Sequence, residues 1–288
     1  MTPAADYYDE MPEPAAAPVT TIRPPRGWAP LDLREFTGAH ELLYFLVLRN
    51  LKLRYKQTML GATWAVLQPL LTMAVFTVVF GRLARLGSDG LPYPVFALAA
   101  LVPWTYFANA LTQASTSLVE QHQLLTKVYF PRLLLPLAAV IAGLVDLVIS
   151  FVMLLVVLAW YGITPSVRLL AVPAFALLAV ASALAPGIWL AALNVRYRDV
   201  RYVIPFLVQI WLFATPVAYS SSLVPERWRA VYGLNPMVAV VDGFRWMVAP
   251  AARMPGTVIA FAVGAVVLVL MAGLFFFRRV ERTFADVV

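Results

Sequence analysis

Few side chains in this sequence can carry chemistry, and their spacing limits which kind. There is no cysteine, and the two histidines, His40 and His122, are too few and too far apart to suggest a metal centre. The three lysines, Lys52, Lys56 and Lys127, follow Leu, Tyr and Thr. A phosphate-cradling P-loop needs Gly before its Lys, so this chain does not hydrolyse ATP by that route. The acids Glu120, Asp146 and Asp199 stand apart, whereas a polyprenyl-phosphate glycosyltransferase would cluster them around a divalent ion. Positive charge does cluster. Arg49, Lys52, Arg54 and Lys56 form one set, and Arg196, Arg198 and Arg201 form another beside Asp199. Arginine offers phosphate a bidentate fork, so both sets are candidates for a pyrophosphate or headgroup contact, and also for determinants of membrane topology.

The elements that must position these residues are apolar helices. Of 288 residues, 62% are hydrophobic and 13% are charged, against roughly half and a quarter in soluble domains. Stretches without Asp, Glu, Lys or Arg cover 57–81, 90–119, 169–195, 202–225 and 254–277. Each exceeds the roughly 20 residues that a spanning helix needs. The weaker alternating segments of a β-barrel are absent. Spans are expected at 62–81, 95–115, 133–161, 169–193, 203–219 and 257–277, giving an all-α integral membrane protein with six transmembrane helices.

Residues 1–30 are proline-rich and acidic, and are expected to form a disordered tail. Residues 31–57 carry a helix with an apolar stripe of Tyr44, Val47, Leu48, Leu51 and Tyr55, while Arg49, Lys52 and Lys56 share another face. That pattern predicts an interfacial amphipathic helix. Residues 58–288 form the six-span domain. With the N-terminus inside, 15 of the 22 basic residues fall on the cytoplasmic side, so both termini are expected in the cytoplasm. Asp146 is the only acid deep in a span, about 21 Å along a helix from Arg132. It must be neutral, paired or facing a wet cavity, and Asn109, Gln113 and Gln209 are possible partners. Beyond the fifth span, Asn235 and Pro236 predict a capped helix start. Trp228, Tyr232, Phe244 and Trp246 predict short helices dipping into the outer interface.

Four blocks of sequence carry a resemblance. LRYKQTMLGATWAVLQPLLTMAVFTVVFG (53–81), TKVYFPRLLLPLA (126–138), LNVRYRDVRYVIPFLVQIWLFATPVAY (193–219) and LNPMVAVVDGFRW (234–246) occur in that order. Together they resemble ABC-2 type permeases of the polysaccharide exporter family, which export O-antigen, teichoic acid and capsule. The resemblance runs from about residue 27 to 280.

That resemblance implies a transport subunit rather than an enzyme. It would move a lipid-linked cell-surface polysaccharide across the bacterial cytoplasmic (inner) membrane as a multi-pass homodimer. Two separate ATP-binding subunits would supply ATP and Mg, and this chain would hold no cofactor of its own and bind no nucleic acid. A cytoplasmic coupling helix would meet the ATPase through Leu118, Glu120, Gln121, His122, Gln123, Leu124, Leu125 and Lys127. Short outer helices of the re-entrant type would follow span five. A polysaccharide path favours aromatic walls, for which Trp64, Trp104, Tyr106, Phe107, Trp211 and Phe213 are candidates. An ABC-2 exporter of a drug or simple lipid would share the same fold.

Overall fold

Prolines and glycines cut the apolar stretches into helices of unequal length. The computed structural model describes residues 39–56, 63–127, 130–164, 166–197, 199–249, 254 and 256–281. The expected tail over residues 1–30 and the candidate Arg198 lie outside these. Helix α1 spans His40–Tyr55, α2 spans Thr63–Phe76 and continues through a π-helical turn over Thr77–Leu83, α3 spans Tyr93–Glu120 and α4 spans His122–Lys127. Next come α5 (Leu134–Ala142) and α6 (Leu144–Trp160), joined at Gly143, then α7 (Val172–Arg196) and α8 (Val200–Ala214). Two short helices, α9 (Arg229–Gly233) and α10 (Pro236–Val248), precede α11 (Gly256–Glu281). No strand occurs among the described residues.

Five helical stretches are long and apolar enough to cross a membrane: Thr63–Leu83, Tyr93–Glu120, Leu134–Trp160, Val167–Arg196 and Gly256–Glu281. The sixth expected span, 203–219, is shorter than the sequence pattern predicts. Helix α8 stops at Ala214, and its 15 residues reach about 22 Å against a hydrocarbon core of about 30 Å. Pro216 explains the stop. It biases the preceding residue out of the helical region, and Thr215 is extended, at φ −110° and ψ 141°.

Helix α3 is the axis of the bundle, packed against α2, α5, α6, α7, α8 and α10. Its small side chains allow that crowding. Ala114 approaches Gly187 of α7 so closely that a Cβ there would lie 3.0 Å from the alanine methyl. Asn194 of α7 donates to the Ser115 carbonyl at 3.0 Å, tying the two helices near their shared end. Helices α2 and α11 are largely uncovered in the single chain. A second apolar cluster lies at the end that carries α4, where Leu46 of α1 packs with Leu118, Leu134, Ile188 and Phe277.

Two expectations change here. The predicted stripe of α1 governs its packing only in part: Val47 packs on the lower cluster, but the buried residue is Leu46, outside the stripe, and Tyr44 is exposed, because α1 lies against α5 and has a protein surface to cover. Helix α10 begins at the predicted Asn235 cap, which accepts from the Met237 amide at 3.1 Å. It does not present Phe244 to an interface. That ring is buried, 6.3 Å from Phe151, because α10 inserts against α3, α7 and α11.

Candidate functional site

The four cations of α1 divide into two groups. Lys52 and Lys56 are exposed, as is Arg49, which makes one surface hydrogen bond. Arg54 turns toward the bundle instead: one Nη donates to Asp146 of α6 and the other to the Gln113 amide oxygen of α3. The Tyr55 hydroxyl donates to the second Asp146 oxygen. Burial, and then this hydrogen bond, push the Tyr55 hydroxyl up to about 12, so it remains a donor at neutral pH. Asp146 is thus charge-paired and twice hydrogen-bonded, which resolves the cost of an acid inside a span. Of its three sequence-level candidate partners, Gln113 takes part, through the shared guanidinium. Asn109 and Gln209 are exposed.

Arg49 makes a second tie, at the surface. Its Nη1 donates to Gln121 Oε1 at 2.9 Å, at the break between α3 and α4. Arg49 and Arg54 lie five positions apart, about 140° around a helix, and both reach α3. In the set Arg49, Lys52, Arg54 and Lys56, Arg54 is thus turned away from the three exposed cations. Two of its members make hydrogen bonds within the chain, reaching Gln113, Asp146 and Gln121 from a helix that packs on α5. In the second set, the Arg196 guanidinium lies over the Tyr197 ring at 5.5 Å, and Arg201 donates to the Tyr202 hydroxyl at 2.7 Å.

The expected coupling segment is also divided. Leu118 is fully buried in the lower cluster, and Leu124 is partly buried against it. Both are committed to packing because the segment begins as the last turn of α3. Glu120, His122 and Gln123 are exposed at the corner. Leu125 and Lys127 fall on α4, but their side chains lie outside the described part of the structure.

The six candidate channel aromatics separate by burial. Trp104, Tyr106 and Phe107 are core residues of α3, covered by neighbouring helices. The Phe107 ring meets Trp104 at 5.4 Å and Trp211 at 5.0 Å. Tyr106 donates to the Val140 carbonyl at 3.2 Å. Trp64 of α2 and Phe213 of α8 are 51% and 64% exposed, while Trp211 is half-buried and donates to Asn235 Oδ1 at 2.9 Å. Their position in the chain did not reveal that α3 is enclosed on nearly all sides.

The residue that sequence reasoning missed is Arg245, which lies within the block 234–246. It is 5% exposed on α10. It donates to the carbonyls of Val217 at 2.9 Å, Tyr219 at 3.1 Å and Phe96 at 3.4 Å, with its guanidinium 3.5 Å over the Phe96 ring. It thereby holds the turn after α8 against the start of α3. Burial pushes Arg245 down to about 10, opposed by Asp242 one turn earlier. The same burial raises Asp242 to about 6, opposed by Arg245 and a hydrogen bond from Ser221. Asp89 closes the cluster, accepting from Ser220 Oγ at 2.5 Å. An arginine flanked by Phe244 and Trp246 in an apolar run was the available signal.

Comparison with known proteins extends the agreement over most of the chain. It is 33% identical over 255 residues to an O-antigen export system permease protein, RfbA, of Myxococcus xanthus, covering 86% of this chain and 96% of the relative. A Klebsiella pneumoniae protein of the same description is 27% identical over 254 residues, covering 86% and 95%. The polysialic acid transport protein KpsM of Escherichia coli is 24% identical over 245 residues, covering 82% and 92%. The sequence pattern of the ABC-2 type transporter family matches residues 41–249. With several apolar helices long enough to cross a bilayer, this chain is a multi-pass membrane protein and belongs to the ABC-2 type transporter family.

Proposed function

We propose that this chain is the permease subunit of an ATP-driven exporter that carries a lipid-linked polysaccharide to the outer face of a bacterial inner membrane. The observation that carries the reading is the near-complete alignment with a protein described as an O-antigen export permease, 33% identical over 255 residues. The absence of a Gly-Lys pair in the sequence suits an arrangement in which a separate ATP-binding subunit supplies the energy. Two copies of this chain and two ATP-binding subunits make the working unit, with both termini of each copy in the cytoplasm by the positive-inside bias.

Polar groups on the outer faces of the helices suit a wet path between the copies. Gln68 of α2, Asn109 of α3 and Gln209 of α8 are exposed on helices that are otherwise strongly apolar. Helices α2 and α8 both pack on α3. Amides facing hydrocarbon lack partners, whereas amides facing water or sugar hydroxyls do not. Trp64 and Phe213, on α2 and α8, offer flat faces beside them for sugar rings. Lys52 and Lys56 offer charge to the lipid pyrophosphate, and exposed Glu120, His122 and Gln123 form the ATPase-facing corner.

Deleting the gene in its native host tests the reading. Surface polysaccharide should fall at least tenfold while finished polymer accumulates inside the cell. Wild-type surface polymer in the deletion strain would overturn it.

A further inference from the structure

Four side-chain hydrogen bonds tie α1 to the bundle, one of them from Tyr55 to Asp146, and two of the others are rungs on one helix. Arg49 reaches Gln121 at the α3–α4 corner. Arg54 reaches Gln113 on α3 and, with its other Nη, Asp146 on α6. The two glutamines are eight residues apart, so the rungs lie about 12 Å apart along α3. The upper rung is the charged one. Its carboxylate sits about 18 Å from the start of the α5–α6 span at Leu134, and the pair is only 22% and 17% exposed. An isolated charge at such a depth is unfavourable. Separating the partners is therefore disfavoured unless another charge or water replaces one of them.

We propose that Arg54 and Asp146 are positioning residues forming a latch, through which movement of the α3–α4 corner is passed to α1 during transport. The proposal rests on the exporter reading above, because it requires a cycle driven from that corner. Helix α1 leads into the first span, so its position sets where α2 enters the membrane. With both rungs in place, a tilt of the lower part of α3 carries α1 with it. With the ion pair removed, Asp146→Asn leaves α1 the neutral Gln113 and Tyr55 bonds and Arg54→Gln leaves the Tyr55 bond, so the upper end of α1 slips on its α5 contact and the drive is lost. Lys52 and Lys56 are directed outward throughout and stay available to anionic headgroups, which explains why one short helix carries two kinds of cation.

The natural absence of cysteine allows a direct test in the full complex with its ATP-binding subunit, reconstituted in proteoliposomes. Cysteines at positions 45 and 119, whose native side chains are exposed and belong to neither rung, are bridged with a bis-maleimide, and the crosslinking rate is followed with and without ATP plus vanadate. Beside the native latch, nucleotide should leave the rate within twofold, since the two elements move together. Beside Asp146→Asn or Arg54→Gln, nucleotide should change it at least fivefold. In chains without the added cysteines, each of these variants should retain ATP hydrolysis within twofold and lose at least tenfold in polymer export. The exchange Arg54→Asp with Asp146→Arg should restore export to within threefold of wild type.

Nucleotide-insensitive crosslinking in the latch variants, or undiminished export, would overturn the latch. If a single variant does not assemble, Arg54→Lys, which keeps the charge but not the fork to Gln113, takes its place. It should give intermediate export, and full export would count against the shared guanidinium. A wild-type complex that moves no polymer would instead overturn the exporter reading.

Discussion

A buried cation lies at one end of the bundle and a partly buried ion pair nearer the other. Arg245 is satisfied by three carbonyls and a ring face rather than by a carboxylate within ion-pair distance. Hydrogen bonds to a charged group contribute about 1.5–3 kcal/mol each, so Arg245→Lys, which cannot span all three acceptors, should destabilise the chain by a few kcal/mol. Detergent thermal denaturation checks this. Asp242 adds a pH dependence whose sign follows from its raised value near 6. The folded state holds that proton more tightly than the unfolded chain, whose ordinary value is 3.8. Stability should therefore rise as pH falls through 6 and level off below about 4. Asp242→Asn should remove that increment, measured as the difference in Tm between pH 7 and pH 5. An unchanged difference would show that the proton is bound elsewhere.

Helix contacts depend on where a side chain is missing. At Gly243 of α10, an added Cβ would lie 2.1 Å from the Phe175 ring, whereas at Gly264 of α11 nothing lies within 4 Å. Gly243→Ala should therefore cost about 1–3 kcal/mol through overpacking. Gly264→Ala should be neutral or stabilising, by up to about 1 kcal/mol, through helix propensity. Adding Phe175→Leu to Gly243→Ala should recover part of the loss, since the collision is with that ring. Equal effects of the two glycine substitutions on Tm would refute the packing of α10 against α7. The same contact explains why α10 sits in the core although its sequence suggests an interfacial segment: a glycine on one helix accepts a phenylalanine from another, and that pairing is invisible along the chain.

For the whole molecule, the alternation of helices places Glu120 at the end that bears α4 and Glu226 at the opposite end, before α9. Single cysteines at these two positions in the cysteine-free chain should react differently with a membrane-impermeant maleimide. Glu226→Cys should label in intact spheroplasts and Glu120→Cys only after permeabilisation, and the reverse result would invert the proposed topology. The apolar runs, their charge-free lengths and the four quoted blocks sufficed for the helical membrane class and the family, because a bilayer constrains composition and length locally. The Asn235 cap was equally legible, being a local hydrogen bond two residues long. The early stop of α8 was legible too, at Pro216, whereas the pairing of Arg54 with Asp146, the burial of Arg245, and the enclosure of Trp104, Tyr106 and Phe107 were decided in three dimensions. These three depend on which helices α3 draws around itself, and small residues permit many such neighbours while naming none. Sequence determined which segments leave water; tertiary packing decided which of their polar groups meet.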